Sequence, residues 1–598
     1  MRKLIVLISF FLIFIGVLTG AAYEGDQFLF LNKIEPGMHG IGKTVVASDV
    51  ISDFSVEILG IIDQPGDDSD FIVARVSGEA IDASGGISQG MSGSPIYIDG
   101  RLIGALSRAA AWSKESSPIG LVTPIEGMLT IIDYMKEESQ PPVKKKGLLS
   151  QVRLVECDFP PSTARLKANP HTIFSYPVSS PLLIHGLSGR LIDVLMNGID
   201  PEAVPSGLLS EFLPLTIAPP GPRGLSPLGL LFNQPAAIGG DGSGEASLLE
   251  PGGAIGVGLA SGDVRIGALG TLTYRDGADL VGFGHRFLLN GRAAFPLTRV
   301  HIYDTMKTYD ASFKLGTLRE PTGTILQDRT AGIGGSIGRL PQGIDLSVAV
   351  KDMDTESSDT LHIELVDEPR LMWELLLATG LEAIDEVLDR IGQGTVEVDY
   401  QIDGDGMPRS LNRRDIFLST RDIALYPPWQ LANLISILQY NEFEDPQITR
   451  ISTSMRVQQE IKAMRITHLE LDKEVYSPGD TIQYRVELQT YHGKRRIKEG
   501  QIEIPPGLTA DYITVRAYGG PRPLEEGEAP IEFEELTDLM ETIEDLPSND
   551  TLTVELFAPN PFSPYLDALY GVDEVEIDLP GYVLYDEREL TALLLWEE

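Results

Sequence analysis

Residues 85–105 read Gly-Gly-Ile-Ser-Gln-Gly-Met-Ser-Gly-Ser-Pro-Ile-Tyr-Ile-Asp-Gly-Arg-Leu-Ile-Gly-Ala, which joins a glycine-rich loop to a predicted β-hairpin. Ser92 lies in this loop, two residues after Gly90 and directly before another glycine. Glycine adopts backbone angles closed to other residues, so the amides of Gly90 and Ser92 are able to point the same way and bind an oxyanion. The Asp-Gly pair at 99–100 is typical of a type I′ hairpin turn. The stretch therefore predicts a serine presented on a sharp turn before a rigid hairpin.

The alternative is a glycine-rich loop of a β-barrel that happens to contain serine, because short motifs without structural context often mislead. However, the string Gly-Gly-Ile-x-Gln-Gly-Met-Ser-Gly-Ser-Pro-Ile, followed by Gly-Arg-Leu-Ile-Gly-Ala, resembles the serine segment of the stage IV sporulation protein B (SpoIVB) peptidases. These are bacterial serine peptidases of chymotrypsin-like type. The resemblance implies that Ser92 is the nucleophile.

A second landmark lies at residues 266–287, where two predicted strands joined by an Asp-Gly turn lead to His285. A lone histidine at such a place is more often a structural hydrogen-bonding group than a catalytic one. The pattern Gly-Thr-Leu-Thr, then Asp, then Gly-x-Gly-His resembles the histidine segment of the same peptidase family, and residues 323–335 resemble the glycine-ended strand that follows it. The resemblance implies that His285 is the general base.

The chain departs from the family pattern in two respects. The histidine segment precedes the serine segment in the sporulation peptidases, whereas Ser92 comes first here; a site between two barrels tolerates either order. The acid of the family lies fifteen residues before the nucleophile, and that position is Ser77. Asp82 and Asp328 are the candidates for a replacement third member, and each has the alternative role of a turn or capping aspartate.

The composition excludes several classes of function. A formal net charge of −40 argues against nucleic acid or an anionic membrane surface as a partner. About half of that charge lies in residues 521–598, with 22 acidic residues and two arginines. A solvated acidic face is the usual meaning, and a calcium site is the alternative, although no Asp-x-Asp-x-Asp-Gly loop occurs. The histidine spacings match no zinc signature, so neither a metal nor a cofactor is predicted.

Cysteine usage and the N-terminus bear on the compartment. Cys157 is the single cysteine, so no intrachain disulfide can form, and its acidic surroundings disfavour a reactive thiolate. Arg2 and Lys3 precede an apolar run that ends in small residues, which is the pattern of a secretory signal peptide at 1–22. An uncleaved membrane anchor is the alternative. The sequence therefore predicts an exported protein of the periplasm or the extracellular space.

Alternating hydrophobic residues and frequent turn residues predict a mainly β protein. The expected fold is a chymotrypsin-like double β-barrel with its halves in permuted order, followed by an α+β segment and an immunoglobulin-like β-sandwich. The predicted divisions are a signal peptide at 1–22, a serine-bearing half at 23–139, a Pro/Gly-rich connector at 140–249, a histidine-bearing half at 250–345, an α+β segment at 346–465 and an acidic sandwich at 466–598.

Two functions remain open from the sequence. The first is a serine endopeptidase acting on protein or peptide substrates, including possible self-cleavage, with Ser92 as nucleophile, His285 as base and the Gly90 and Ser92 amides as oxyanion donors. The second is a catalytically inactive envelope binding or scaffolding protein that engages protein or carbohydrate through its C-terminal domain. The missing acid at Ser77 favours the second function, whereas the intact Ser92 loop and His285 favour the first.

Overall fold

A computed structural model describes residues 27–62, 70–111, 118–136, 153–156, 172–178, 180–197, 235–236, 249–308, 312–522, 533–559 and 569–595. The predicted signal peptide and Cys157 lie outside these residues. These described residues are mainly β, with 54% strand and 17% helix. It divides into two units, the first made of residues 1–185, 232–259 and 266–341, and the second made of the remaining residues. Among the described residues, no helix is long and apolar enough to cross a membrane.

The first unit contains most of its strands in two runs, before and after a Pro/Gly-rich stretch. Its strands are β1 (His39–Val45), β2 (Ile51–Ile62), β3 (Phe71–Ser77), β4 (Ser94–Ile98), β5 (Arg101–Ala111), β6 (Ile119–Pro124), β7 (Arg153–Glu156), β8 (Thr172–Pro177), β9 (Leu182–His185), β10 (Pro235–Ala236), β11 (Ala254–Gly262), β12 (Arg265–Asp276), β13 (Asp279–Gly282), β14 (Gly291–Met306), β15 (Phe313–Arg329) and β16 (Gly332–Ile337). Strand β11 continues past residue 259, and its last residues belong to the second unit.

Six strands form a closed barrel in the order β4-β1-β2-β3-β6-β5, and pairing of β4 with β5 completes the ring. The alternation of β2 places Phe54, Val56 and Ile58 inside, where they form one apolar cluster with Ile72 and other inward residues. The turn between β4 and β5 has positive φ at Asp99 and Gly100, as a type I′ turn requires. Strand β8 adds to the outside of this ring along β5, and β7 pairs with β8.

A second ring follows in the order β12-β13-β16-β15-β14-β11, and pairing of β11 with β12 closes it. Helix α1 (Glu79–Ser84) precedes the serine loop, and helix α2 (Ile125–Lys136) follows β6. The apolar face of α2 packs in one cluster with Leu102 of the first ring and Val281 of the second. The close approach of α2 to β16 requires glycine, since a Cβ at Gly334 would lie 2.5 Å from the Ile131 side chain.

The second unit begins with helix α3 (Gly189–Asn197) and contains an open sheet, two long helices and a sandwich. The sheet has the order β18-β17-β21-β19-β20. Its strands and helices are β17 (Gly343–Asp352), β18 (Ser358–Val366), α4 (Pro369–Leu388), β19 (Gly394–Asp405), β20 (Leu411–Ser419), α5 (Tyr426–Gln439) and β21 (Gln447–Gln458). Trp373 and Trp429 join α4 to α5 with ring centroids 4.7 Å apart. Helix α4 ends where Asp389 adopts left-handed backbone angles.

The last part of the second unit is a β-sandwich of a four-stranded sheet, β25-β24-β22-β29, and a five-stranded sheet, β23-β30-β26-β27-β28. Residues of both sheets, such as Ile466, Val486, Val515 and Val554, belong to one apolar cluster. Its elements are β22 (Ala463–Leu471), β23 (Val475–Tyr476), β24 (Thr481–Thr490), β25 (Arg495–Glu503), β26 (Tyr512–Gly519), α6 (Leu536–Asp545), β27 (Thr551–Pro559), β28 (Leu569–Asp578), β29 (Val583–Tyr585) and β30 (Glu587–Leu594).

Candidate active site

The serine loop lies immediately before β4 and is pressed against β12 of the second ring. Gly90 and Gly93 have φ of 86° and 94°, angles that side chains disfavour. A Cβ at Gly93 would also lie 2.0 Å from the Thr271 carbonyl oxygen. Glycine is therefore required beside Ser92 both for the turn and for the contact between the two rings. We call the backbone N–H groups of Gly90 and Ser92 the oxyanion amides.

The direction of each oxyanion amide is set by a hydrogen bond to the carbonyl at the other end of the same peptide group. The Gln89 carbonyl accepts a hydrogen bond from the Lys314 amide at 3.1 Å. The Met91 carbonyl accepts one from the Ser94 hydroxyl at 2.6 Å. Each carbonyl belongs to the same trans peptide as one oxyanion amide, so that amide points in the opposite direction. Among the described residues no hydrogen bond uses either amide, and both are available to an oxyanion.

Strand β12 holds the other carbonyls of the loop. The Thr271 hydroxyl donates to the Gly90 carbonyl at 2.9 Å, and the Thr271 amide donates to the Ser92 carbonyl at 2.8 Å. The Thr273 hydroxyl donates to the Gly93 carbonyl at 2.7 Å. Both threonines belong to the Gly-Thr-Leu-Thr string, so this motif of the histidine segment binds the serine loop.

His285 follows β13 and lies against Ser92. Its Nε2 atom is 3.0 Å from the Ser92 Oγ atom, and its Nδ1 atom is 2.7 Å from the carbonyl oxygen of Arg286. A carbonyl oxygen only accepts, so Nδ1 carries the proton and Nε2 accepts from the serine hydroxyl. This is the tautomer in which an imidazole removes a proton from serine.

The first ring holds the histidine in place. Phe283 and Gly284 both have positive φ, which turns the chain sharply before His285. The Gly284 carbonyl accepts a hydrogen bond from the Thr123 hydroxyl at 2.6 Å, and a Cβ at Gly284 would lie 3.1 Å from the Ser107 Cβ. Glycine at position 284 therefore allows the chain before His285 to pack closely against β5 and β6.

Comparison with family models gives a match of residues 27–129 to the SpoIVB peptidase S55 family. The chain carries a SpoIVB-type peptidase domain. The match covers the first ring with Ser92 and ends before the histidine segment. The family implies a serine peptidase with protein or peptide substrates. Comparisons with curated proteins and with solved structures found no match.

Among the described hydrogen bonds, none joins Asp82 or Asp328 to the imidazole. Asp328 is fully buried, and its carboxylate accepts the amides of Phe287, Leu288 and Asn290 at 2.7, 2.6 and 3.2 Å. It fixes the loop that follows His285 instead of orienting the ring. Asp82 is exposed on α1, where its backbone amide donates to the Gly78 carbonyl and its backbone carbonyl accepts from Lys307.

Ser77, the position of the family acid, ends β3 and is exposed. Within the described residues, no hydrogen bond joins Ser77 to His285. The Arg286 carbonyl occupies the position on Nδ1 that the carboxylate of a triad would take. The sequence contains no signal for this carbonyl, because any residue type supplies one.

Burial lowers the pKa of His285 below its ordinary value of 6.5, and the positive charge of Arg108 lowers it further. The hydrogen bonds with the Arg286 and Val178 backbones and the charge of Asp328 oppose this shift. The net direction is downward. The imidazole is therefore neutral near pH 7, as a general base must be.

Lys314 on β15 is a buried cation beside the serine loop that the sequence analysis missed. Its side chain is fully buried, and burial lowers its pKa to about 7. Its Nζ atom donates to the Thr44 and Thr271 hydroxyls at 3.0 and 3.3 Å. A Cβ at Gly90 would lie 3.2 Å from the Lys314 Cδ atom. In the sequence, the alternating pattern of β15 puts Lys314 at an inward-facing position, and this pattern could have indicated that the side chain is buried.

The described residues contain no cluster of three or more His, Cys, Asp or Glu side chains that would hold a metal ion. The site instead brings together a hydroxyl, a neutral imidazole that accepts from it, and two oriented amides. These are the groups needed for acyl transfer through a serine ester.

Proposed function

We propose that the protein is an exported bacterial serine endopeptidase in which Ser92 and His285 act as a catalytic pair. The observation that carries the proposal is the 3.0 Å hydrogen bond between Ser92 Oγ and His285 Nε2, with the imidazole held in the accepting tautomer. Export rests on the predicted signal peptide at 1–22. The permuted chymotrypsin-like arrangement of the two rings and the immunoglobulin-like class of the sandwich are parts of the same proposal.

The proposed reaction follows from these positions. Ser92 Oγ attacks the carbonyl carbon of the scissile peptide while its proton moves to His285 Nε2. The oxyanion amides stabilise the negative charge on the carbonyl oxygen. His285 then gives the proton to the leaving amine, and an acyl ester remains on Ser92. Water attacks this ester with His285 as base, which releases the acid and restores the hydroxyl.

None of the carboxylates that the structure describes is hydrogen-bonded to the imidazole, and this affects the expected rate. When a triad loses its acid, catalysis falls by about four orders of magnitude, largely because the wrong tautomer forms. The Arg286 carbonyl fixes the correct tautomer here but adds no negative charge beside the imidazolium. We expect a peptidase with a small kcat.

A second candidate is a catalytically silent barrel that serves as a binding or scaffolding module of the cell envelope. Two observations favour it: the Ser92 side chain has no exposed surface, and the described carboxylates do not contact the imidazole. A binding module has no need of the Ser92 hydroxyl, whereas a peptidase requires it.

The test uses the mature chain from Tyr23 onward and a fluorophosphonate probe. Labelling should be found by mass spectrometry on Ser92 in the wild type, and Ser92→Ala and His285→Ala should each abolish labelling and peptide hydrolysis with an unchanged thermal unfolding temperature. Ser77→Ala, which removes an exposed hydroxyl of the same ring, is the control and should label normally. Equal labelling of wild type and Ser92→Ala, with no cleavage of a peptide library, would establish the silent module.

A further inference from the structure

Strand β8 lies along β5, the strand that follows the serine hairpin. The two run antiparallel, with Pro177 opposite Arg108 and Phe174 opposite Ala111. Strand β6 pairs with residues 104–110 along one side of β5, and β4 pairs with residues 101–106 along the other side. Past residue 106, β8 takes the place of β4 on that side among the described strands. The segment of β5 next to the site is therefore an edge that β8 covers.

The residue after β8 reaches the catalytic groups. The Val178 amide donates to the carbonyl of Ser107 at 3.0 Å. The Val178 backbone also lies close enough to the His285 imidazole to raise its pKa. The chain at this point is thus hydrogen-bonded to β5 and lies beside the candidate general base.

The Val178 side chain fills an apolar site in the first ring. It is 2% exposed and belongs to the same cluster as Met91, Leu106 and Ala109. Met91 lies between the two oxyanion amides in the chain. An aliphatic side chain of this size therefore belongs to the same apolar core as Met91 of the serine loop.

The proline before Val178 fits the pattern of an added strand. In an antiparallel pair, residues alternate between those that exchange backbone hydrogen bonds with the partner and those that do not. Val178 donates to β5, so the alternation places Tyr176 at the next bonding position and Pro177 between them. A missing N–H at Pro177 therefore does not disturb the pairing.

We propose that β8 and Val178 occupy the substrate groove of the peptidase as an internal substrate-like strand. The site then takes extended peptides that add to the edge of β5, with a small aliphatic residue, valine or one of similar size, just before the scissile bond. Substrate enters by displacing β8, which agrees with the complete burial of Ser92. The inference rests on the proposed function for its chemistry, but occupancy of the groove can be tested without it.

Two variants weaken the internal strand in different ways. Val178→Pro removes the N–H that Ser107 accepts, and Val178→Gly empties the apolar site. Both should label with fluorophosphonate at Ser92 at least about tenfold faster than the wild type. Val76→Gly is the matched control, because Val76 is a buried valine of the same cluster on β3. It should lose stability without faster labelling.

A synthetic heptapeptide of residues 172–178, Thr-Ile-Phe-Ser-Tyr-Pro-Val, tests occupancy directly. Fluorescence anisotropy should show that it binds the Val178→Gly chain and binds the wild type at least about tenfold more weakly, and a scrambled peptide should bind neither. Because this measurement needs no catalysis, it gives a result even if the peptidase proposal fails. Absence of binding to folded Val178→Gly, together with unchanged labelling rates, would mean that β8 is only a structural strand.

Peptide hydrolysis tests the substrate class. Internally quenched peptides with valine before the scissile bond should be cleaved by Val178→Gly at least about tenfold faster than those with lysine, aspartate or tryptophan. Preference for a charged or large aromatic residue would overturn the inference while leaving the peptidase proposal intact. Loss of labelling in every variant, with the heptapeptide still bound, would overturn the peptidase proposal alone.

Discussion

Ser92 Oγ and His285 Nε2 lie 3.0 Å apart although 193 positions separate the two residues in the chain. The contact depends on β12, which binds the serine loop through Thr271 and Thr273, and on Thr123 of β6, which binds the carbonyl before His285. Each ring therefore holds the proposed catalytic segment of the other. Variants of these connecting residues should affect catalysis more than substrate binding.

The hydroxyl of Thr271 is the first such connection. Thr271→Val keeps the shape and the backbone amide that donates to Ser92, but it leaves the Gly90 carbonyl without the side-chain donor. We expect kcat to fall about tenfold, which corresponds to about 1.4 kcal/mol, with KM nearly unchanged. Thr273→Val is the comparison, because it releases Gly93 and should have a smaller effect. Steady-state kinetics measure kcat and KM of both variants. A change confined to KM would contradict the role of the Thr271 hydroxyl in holding the serine loop.

The acid limb of the pH profile should report His285. Burial lowers the pKa of this imidazole below 6.5, and only the neutral form accepts the serine proton. The value of kcat/KM should therefore rise with pH and reach half of its maximum below pH 6.5. Arg108→Gln removes a positive charge that lowers this pKa and should move the midpoint upward. A wild-type midpoint above pH 7, or no movement in the variant, would show that another group controls the limb.

Asp328 should act through the loop after His285. Asp328→Ala removes the carboxylate that accepts from the amides of Phe287, Leu288 and Asn290, and losing the acceptor of a buried group costs about 1–3 kcal/mol. We expect a clear fall in Tm and in kcat, and an intermediate effect for Asp328→Asn, which keeps one acceptor oxygen. Asp82→Ala changes an exposed side chain and should alter stability by less than about 0.5 kcal/mol. If Asp82→Ala abolished activity instead, the third member would be Asp82.

Lys314 should make stability depend on pH in a defined direction. Its pKa is about 7 in the folded protein and 10.5 when unperturbed. The unfolded chain holds this proton between those values while the folded chain has lost it, so stability rises with pH across that window. Lys314→Met removes the titration and should stabilise the protein, more at pH 6 than at pH 10.

Chemical denaturation at the two pH values measures this difference. Lys307→Met is the control, because Lys307 is an exposed lysine and its replacement should change the free energy of unfolding by less than about 0.5 kcal/mol at either pH. An equal effect of Lys314→Met at pH 6 and pH 10 would mean that the buried amine does not titrate in this range.

The sequence by itself determined the local geometry of the serine loop. The glycines at 90 and 93 have positive φ angles, which glycine adopts without a Cβ clash, and the Asp-Gly pair at 99–100 has the positive φ angles of a type I′ turn. The alternating runs also indicated a mainly β chain. The Met-Ser-Gly-Ser-Pro string pointed to the SpoIVB-type domain that the family comparison supports.

Only the tertiary structure decided what surrounds His285. The Arg286 carbonyl on Nδ1, the role of Asp328 in the following loop, the burial of Lys314 and the place of Val178 on β5 all depend on contacts between residues far apart in the chain. Such contacts follow from the closure and register of the two rings. No short stretch encodes them, because hydroxyls, carbonyls and aliphatic side chains occur throughout the sequence and gain a role only from their neighbours in space.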